Sequence, residues 1–257
     1  MKIKERHAKI LELLTHHKKV EVTQLSELLQ VSQVTIRKDL DQLENKGLIV
    51  RSHGFATLNS SDDINNRLAN QYDKKQQIAK IACQDIQDGE TVMIESGSCC
   101  ALLALEIAHT KKDVTIITNS AFIAEFIRKE GHNRIILLGG EYQKESQVNV
   151  GPLVRKCVES FFVDKLFIGI DGFSIETGFT GNDLMRSEAV QDMVKQVKTV
   201  IVMTDSSKFY HVSTVHLLNV EQVKMIVTDC DAPRDIVDYF KESNVDIKQT
   251  ERKRNMF

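Results

Sequence analysis

No apolar run in the 257-residue sequence approaches the roughly 20 residues that a membrane-spanning helix requires. The opening segment MKIKERHAKILELL lacks the pattern of a secretion signal: Lys9 and Glu12 interrupt its apolar positions, and no small-residue cleavage site follows. The expectation is a cytoplasmic chain with no membrane partner. Paired cysteines are also missing. The five, Cys83, Cys99, Cys100, Cys157 and Cys230, are odd in number and form no C-x-x-C pair. That argues against a disulfide framework and a structural zinc site. The adjacency of Cys99 and Cys100 leaves a redox role open, although free cysteine usually behaves as a small buried hydrophobe. There is no internal repeat, no low-complexity tract, no nucleophile–base pair and no metal-ligand spacing. No cofactor or metal is expected.

What the sequence does hold is uneven. The net charge is −2, yet residues 1–58 carry ten Lys/Arg against seven Asp/Glu, or +3, which leaves −5 for the other 199. A basic head on an acidic body suits nucleic-acid contact at the N-terminus. Ile10, Leu11 and Leu14 recur at helical spacing. Val20–Val22 reads as a small edge strand. Thr23 is placed to cap a second helix with the stripe Leu25, Leu28 and Leu29. Gln30 and Val31 break that pattern. Ser32 then caps a third helix that runs to about Asn45 and stops near Gly47. After Gly47 the period changes to two, and Leu48 to Leu58 reads as a hairpin turning at Gly54. Three helices and a two-stranded wing make a winged helix-turn-helix.

On the third helix Ile36, Leu40 and Leu43 share one face and form the inward seam. The opposite face carries Val34, Thr35, Lys38, Asp41 and Gln42, with Arg37 at its flank. Long amide and cationic side chains reach base edges, and hydroxyls near a helix start hold phosphate. Gln33, Val34 and Lys38 are assigned to base reading, and Val34 suits a thymine methyl. Ser32, Thr35 and Arg37 are assigned to phosphate or positioning contacts, with Arg51 and His53 on the wing. The same pattern also fits a solvated amphipathic helix that contacts protein.

Residues 59–74 are polar, with few periodic apolar positions, and read as a linker. From Lys75 onward helical and β-branched runs alternate. Strands are expected at Val92–Ile94, Val114–Thr118, Ile135–Leu138, Leu166–Ile168, Val200–Met203 and Met225–Val227. Helices are expected at Ala101–Ala108, Ala121–Lys129, Leu153–Ser160, Glu188–Lys195 and Arg234–Glu242. This predicts an α/β domain over 75–257 with a mainly parallel sheet, whose ligands sit at the carboxyl ends of the strands. In TVMIESGSCCALLALEIA, Gly97 permits close backbone approach and Ser96 and Ser98 offer hydroxyls. The following helix start offers free N–H groups. Together they fit a phosphate cradle, and equally an ordinary tight turn. Further polar clusters lie where strands should end: Thr118-Asn119-Ser120, Gly139-Gly140, Gly169 to Gly172, and Asp205 to Lys208. A crevice at the sheet edge would gather them, with Lys208 as the cation for a ligand phosphate.

The run LSELLQVSQVTIRKDLDQLENKGLIVRSHGFA resembles the DeoR family of bacterial regulators. Val31-Ser32, Thr35 to Leu40, Leu43, Gly47 and Arg51 to Gly54 follow that family's signature, while Phe55 departs from it where a second Gly is usual. The polar clusters resemble the family's sensor domain, so the likeness covers nearly the whole chain. It implies a fold similar to ribose-5-phosphate isomerase and coenzyme A transferases, and repression of sugar-catabolic operons relieved by a phosphorylated sugar. It implies that Gly97, Ser98, Asn119, Gly140, Asp171, Gly172 and Lys208 line the effector site, with Glu188 near it. Three residues depart from the pattern: Glu95, where a shorter acid is usual, Cys99, where a hydroxyl is usual, and Tyr210, where Gly is usual. A thiol is a much weaker donor than a hydroxyl. Both Glu95 and Cys99 belong to the expected effector loop.

The expected partners are operator DNA, a sugar-phosphate effector and further copies of the chain, since paired heads read two half-sites. Two alternatives stay open. One is a sugar-phosphate isomerase or transferase with a DNA-binding appendix, using Glu95, Asp171 or Glu188 as acid or base. The other is a protein-interaction module.

Overall fold

The computed structural model describes residues 3–17, 19–45, 48–52, 54–57 and 62–252. The chain divides into two units, Met1–Tyr72 and Asp73–Phe257.

In the first unit α1 (Ile3–His17) leads into β1 (Lys19–Glu21), α2 (Val22–Leu29) and α3 (Gln33–Asn45). The hairpin β2 (Val50–Ser52) and β3 (Phe55–Thr57) follows, then α4 (Ile64–Ala69). Ile10, Leu14, Leu25, Ile36, Leu40 and Leu43 are buried, so the apolar stripes of the three helices meet in one core. The strands pair antiparallel in the order β1-β3-β2, with Val50 opposite Thr57 and Lys19 opposite the same residue on the other side. Gly54 turns the hairpin at φ +82°, a left-handed conformation that favours glycine. The second helix starts earlier than expected. Glu21 is its N-cap without a side-chain cap bond, and Thr23 instead donates to Glu21 Oε2 at 3.0 Å.

The 59–74 stretch, expected as a linker, holds α4 and the start of the next helix. Ile64 and Leu68, four residues apart, are buried, and Asp63 accepts from the Asn65 N–H at 2.7 Å to cap α4. Two apolar residues in a polar stretch gave too weak a period to read.

The second unit starts with α5 (Tyr72–Cys83), β4 (Thr91–Ile94), α6 (Ser98–Thr110), β5 (Thr115–Thr118), α7 (Ala121–Ile127) and β6 (Arg134–Leu137). The hairpin β7 (Glu141–Gln143) and β8 (Val148–Val150) precedes α8 (Pro152–Val158) and β9 (Val163–Ile168). A second hairpin, β10 (Gly172–Ser174) and β11 (Gly178–Gly181), leads to α9 (Leu184–Val194), β12 (Val197–Met203), β13 (Val215–Leu218) and β14 (Met225–Thr228). The last elements are α10 (Arg234–Glu242) and β15 (Asp246–Gln249).

Among the described residues, seven strands form one sheet in the order β15-β14-β12-β9-β4-β5-β6, and every pairing in it is parallel. Buried β-branched and aromatic runs such as Leu166–Ile168 and Val200–Met203 suit strands covered on both faces. From β4 the chain order runs one way through β5 and β6, and from β9 it runs the other way through β12, β14 and β15. The switch therefore lies between β4 and β9, where open α/β sheets form a crevice at the carboxyl ends. The antiparallel sheet β10-β11-β13 packs Phe173 and Phe179 against Phe240 of α10, with ring centroids 4.7 and 6.0 Å from it. No described helix is long and apolar enough to cross a membrane.

Candidate DNA-reading face and effector crevice

The third helix is set by its cap and its seam. The Ser32 hydroxyl accepts from the Thr35 N–H at 3.2 Å and lies 2.9 Å from the Thr35 hydroxyl, which fixes the helix start. Before it, Gln30 closes α2 at φ 52°, and its N–H donates to the carbonyls of Glu27 and Ser26. Ser26 donates to the Val31 carbonyl at 2.6 Å, which tightens the turn. Below the helix, Asp39 is buried and accepts from both Nε and Nη2 of Arg6 on α1, with Arg6 Nη2 at 2.8 Å. His7 Nε2 lies 3.2 Å from the same carboxylate. A buried charge held this way ties α3 to α1.

The outward face then carries Gln33, Val34, Arg37, Lys38, Asp41 and Gln42, all exposed, with Thr35 half-buried. Val34 is 61% exposed, a large apolar side chain held in water beside two cations. On the wing Arg51 ion-pairs with Asp41 of α3, and its N–H donates to Glu44 Oε1 at 3.1 Å. Arg51 is therefore drawn onto α3 rather than extended from the wing tip. The ammonium of Lys19 sits 3.9 Å from the Phe55 ring centroid. Phe55 pairs with Ser52 across the hairpin, as an ordinary strand residue. His53 lies outside the described residues.

At the carboxyl edge of the parallel sheet, the loops after β4 and β9 meet. A Cβ on Gly97 would lie 3.1 Å from the Gly169 Cα, so no side chain fits between them. Glu95 joins the two loops. Its Oε2 accepts from the Gly97 N–H at 2.7 Å and the Gly169 N–H at 3.1 Å, and its Oε1 accepts from the Ser96 hydroxyl at 2.7 Å. Glu95, Ser96, Cys99 and Cys100 are buried, while Ser98 opens α6 half-exposed. Gly97 is the N-cap of α6 and brings no side-chain cap. Burial pushes the Cys99 thiol up to about 12, so it stays protonated and unreactive at neutral pH.

Along the edge, Asn119 donates from Nδ2 to the Asn149 carbonyl at 3.1 Å, while its buried Oδ1 has no hydrogen-bond partner. Asp171 accepts from the Asn182 N–H at 2.9 Å and anchors the β10–β11 hairpin. Asp205 accepts from the Ser207 N–H at 3.1 Å, capping the short 3-10 turn Ser206–Lys208 that carries Lys208. Asp229, after β14, accepts from the Ser206 N–H and hydroxyl at 2.6 and 2.9 Å. The edge thus gathers Glu95 to Cys99, Asn119, Asp171, Asp205 and Lys208.

Two expected glycines are explained by packing as well. A Cβ on Gly140 would meet the Val150 carbonyl at 2.7 Å, and one on Gly172 the His211 carbonyl at 2.3 Å. Glu188 is exposed and shares its side of α9 with Asp192, which pairs with Arg155 of α8.

Family models fit both units. A DeoR-like helix-turn-helix domain matches residues 6–62, and a DeoR C terminal sensor domain matches residues 70–230. The chain belongs to the DeoR family. It is a DNA-binding transcriptional regulator of that family. The HTH-type transcriptional repressor GlcR of Bacillus subtilis (strain 168) is 30% identical over 252 residues, covering 96% of each chain. The putative aga operon transcriptional repressor of Escherichia coli O157:H7 is 29% identical, over 95% of this chain and 92% of that one. The glycerol-3-phosphate regulon repressor of Escherichia coli (strain K12) is 27% identical, over 96% and 99%. Among solved structures, ribose 5-phosphate isomerase A of Methanocaldococcus jannaschii is 18% identical, with a TM-score of 0.40 over 54% of this chain and 55% of that one.

Two of the departures from the DeoR pattern, Tyr210 and Glu95, now have local explanations. Tyr210 holds φ 61°, the left-handed conformation that the family's glycine adopts freely, and its hydroxyl donates to Asp235 of α10. The longer acid at Glu95 spans both glycine amides. Cys100, behind it, has its thiol 3.5 Å from the Phe167 carbonyl. The sequence reading missed Asp39 with Arg6 and His7, and the residues Lys75, Asp229 and Thr228 at the sheet edge. The signal for Lys75 was a lysine on the apolar stripe of α5, where Ile78, Ala79 and Ala82 follow at helical spacing.

Proposed function

We propose that this regulator represses a carbohydrate-utilisation operon and is retuned on its operator by a phosphorylated sugar. Residues 1–58 read DNA and residues 75–257 sense the effector, in the cytoplasm, as a homo-oligomer. The reading is carried by the exposed face of α3, where Gln33, Val34, Arg37 and Lys38 stand free of the core while Ile36, Leu40 and Leu43 hold the helix from behind. Gln33, Val34 and Lys38 read base edges; Ser32, Thr35, Arg37 and the wing residues Arg51 and His53 hold phosphates. Arg51 exchanges Asp41 for DNA phosphate on binding. A dimer or tetramer places two such helices on successive half-sites.

The crevice at the β4–β9 switch supports the sensing half. An uncapped helix start offers N–H groups to a phosphate, and Lys208 offers a charge. Glu95, Ser96, Gly97, Ser98, Cys99, Asn119, Gly140, Asp171, Gly172 and Lys208 shape this site. Within it Glu95 acts as scaffold, because its carboxylate is already met by three donors. Glu188, on the exposed side of α9, lies near it. One relative bears the name glycerol-3-phosphate regulon repressor, which supports a small phosphorylated signal. Binding without turnover is favoured because Glu95 is tied down between loops and Asp171 is tied to a hairpin amide, so neither is poised as a base. A gel-shift series with DNA from the chain's own promoter region and a panel of sugar phosphates tests this. One of them is expected to change the affinity at least tenfold. No response to any of them would refute the sensing half, and measurable turnover would refute the non-enzymatic reading.

A further inference from the structure

The carboxyl edge of the sheet holds a cation in a position usually filled by an apolar residue. Lys75 sits on the buried stripe of α5 with Ile78, Ala79, Ala82 and Cys83, and it is only 5% exposed. An ammonium there is costly unless anions or dipoles meet it. The course of α5 shows where its charge lies. At its start Lys74 Nζ is 3.0 Å from Asp231 Oδ2 and 3.6 Å from Asp229 Oδ1, just past the end of β14. At its end Cys83 Sγ is 3.6 Å from Thr110 Oγ1, the last residue of α6. The two helices therefore begin together at the carboxyl edge and run the same way.

Side chains on a helix lean toward its N-terminus, so Lys75, in the first turn, leans toward the edge where Gly97 to Cys99 open α6. Lys75, Asp205, Lys208 and Asp229 all lie within electrostatic reach of the buried Cys99 thiol. Two lysines and two buried carboxylates thus lie near the first turn of α6, whose leading N–H groups have no intrahelical partners. Nearby strand ends add Asn119 Oδ1 and Thr228 Oγ1, both buried and without a hydrogen-bond partner. A buried polar atom left so calls for an explanation, and a ligand that completes the site is one.

We propose that Lys75 is an effector-contacting residue: its ammonium, the amides that open α6, and Lys208 together take the phosphate group of the effector. This rests on the crevice being the effector site, as proposed above. Asp205 and Asp229 balance the two lysines while the crevice is empty, and the arriving phosphate takes their place as counter-ion.

The test is a thermal-unfolding series on the full chain in about 20 mM inorganic phosphate, against chloride at equal ionic strength. The wild type is expected to gain about 3 °C from phosphate. Lys75→Met is expected to lose that gain, Lys75→Arg to keep at least half of it, and Lys208→Ala to keep only part. Far-UV circular dichroism checks folding, and Lys75→Gln replaces the Met variant if that one does not fold. A full phosphate gain in a folded Lys75→Met, with loss in Lys208→Ala, overturns the role of Lys75 and leaves the crevice standing. No gain in the wild type overturns the phosphate site itself, and Lys75 with it.

Discussion

Each unit of this regulator is organised around one buried carboxylate, and the two are held by opposite means. Asp39 in the DNA-reading unit is met by side chains, Arg6 and His7, that reach across from another helix. Glu95 in the sensing unit is met mainly by backbone N–H groups of Gly97 and Gly169, at the point where two loops cross. The first arrangement locks a helix from behind and leaves its outer face free to act. The second locks the loops of the crevice itself, so that scaffold and binding site share residues. In the first unit function therefore sits on solvent-facing side chains whose chemistry declares itself. In the second it sits among groups most of which are tied to one another, with Asn119 Oδ1 and Thr228 Oγ1 left without hydrogen-bond partners.

The largest expected effect breaks the first carboxylate. Asp39→Ala leaves the buried Arg6 guanidinium without its partner and should cost about 3–5 kcal/mol, read by denaturant unfolding. If the loss is below about 1 kcal/mol, the pair does not organise the helix pair. Next is the second carboxylate. Glu95→Ala leaves two loop amides without an acceptor and should cost about 1–3 kcal/mol, with the loss confined to the sensing unit in hydrogen exchange. Protection lost in residues 3–45 instead would contradict the division.

A third substitution sharpens the outward face of α3. Arg37→Ala should weaken DNA binding by about 1–3 kcal/mol and lower the salt slope by about one counter-ion, with unfolding unchanged. A fourth concerns the thiols. With its pKa pushed up to about 12 by burial, Cys99 is protonated from neutral pH to well above 9. It should resist alkylation at pH 8 while the half-exposed Cys230 reacts, as mass spectrometry of the labelled peptides will show. The smallest effect is expected for Gln30→Gly, which relieves a left-handed residue at the α2–α3 turn and should stabilise by about 0.5–1 kcal/mol.

The same contrast explains what was legible in the sequence. The seam Ile36, Leu40 and Leu43 and the polar face opposite it followed directly from a 3.6-residue period. The inner strands of the parallel sheet showed as β-branched runs because both faces are buried. Two short strands did not show: the antiparallel Gly178–Gly181 has little β-branched content, and Asp246–Gln249 reads as charged because it is the edge strand of the parallel sheet. Asp39 was given no role until Arg6, 33 residues earlier, was seen to meet it. Lys75 served only to mark where the α/β pattern begins. Partnerships between residues far apart in the chain leave no local period, and both hidden charges depend on such partnerships.

The central claim is that reading and sensing are separate in residues yet coupled in effect. Fluorescence anisotropy with promoter DNA, with and without the active sugar phosphate, tests it on two variants. Lys38→Ala is predicted to weaken binding in both conditions and to keep the wild-type fold-change on effector addition. Lys208→Ala is predicted to bind DNA as the wild type does and to lose the fold-change. If Lys208→Ala weakens effector-free binding as much as Lys38→Ala does, or if Lys38→Ala abolishes the response, the separation is contradicted.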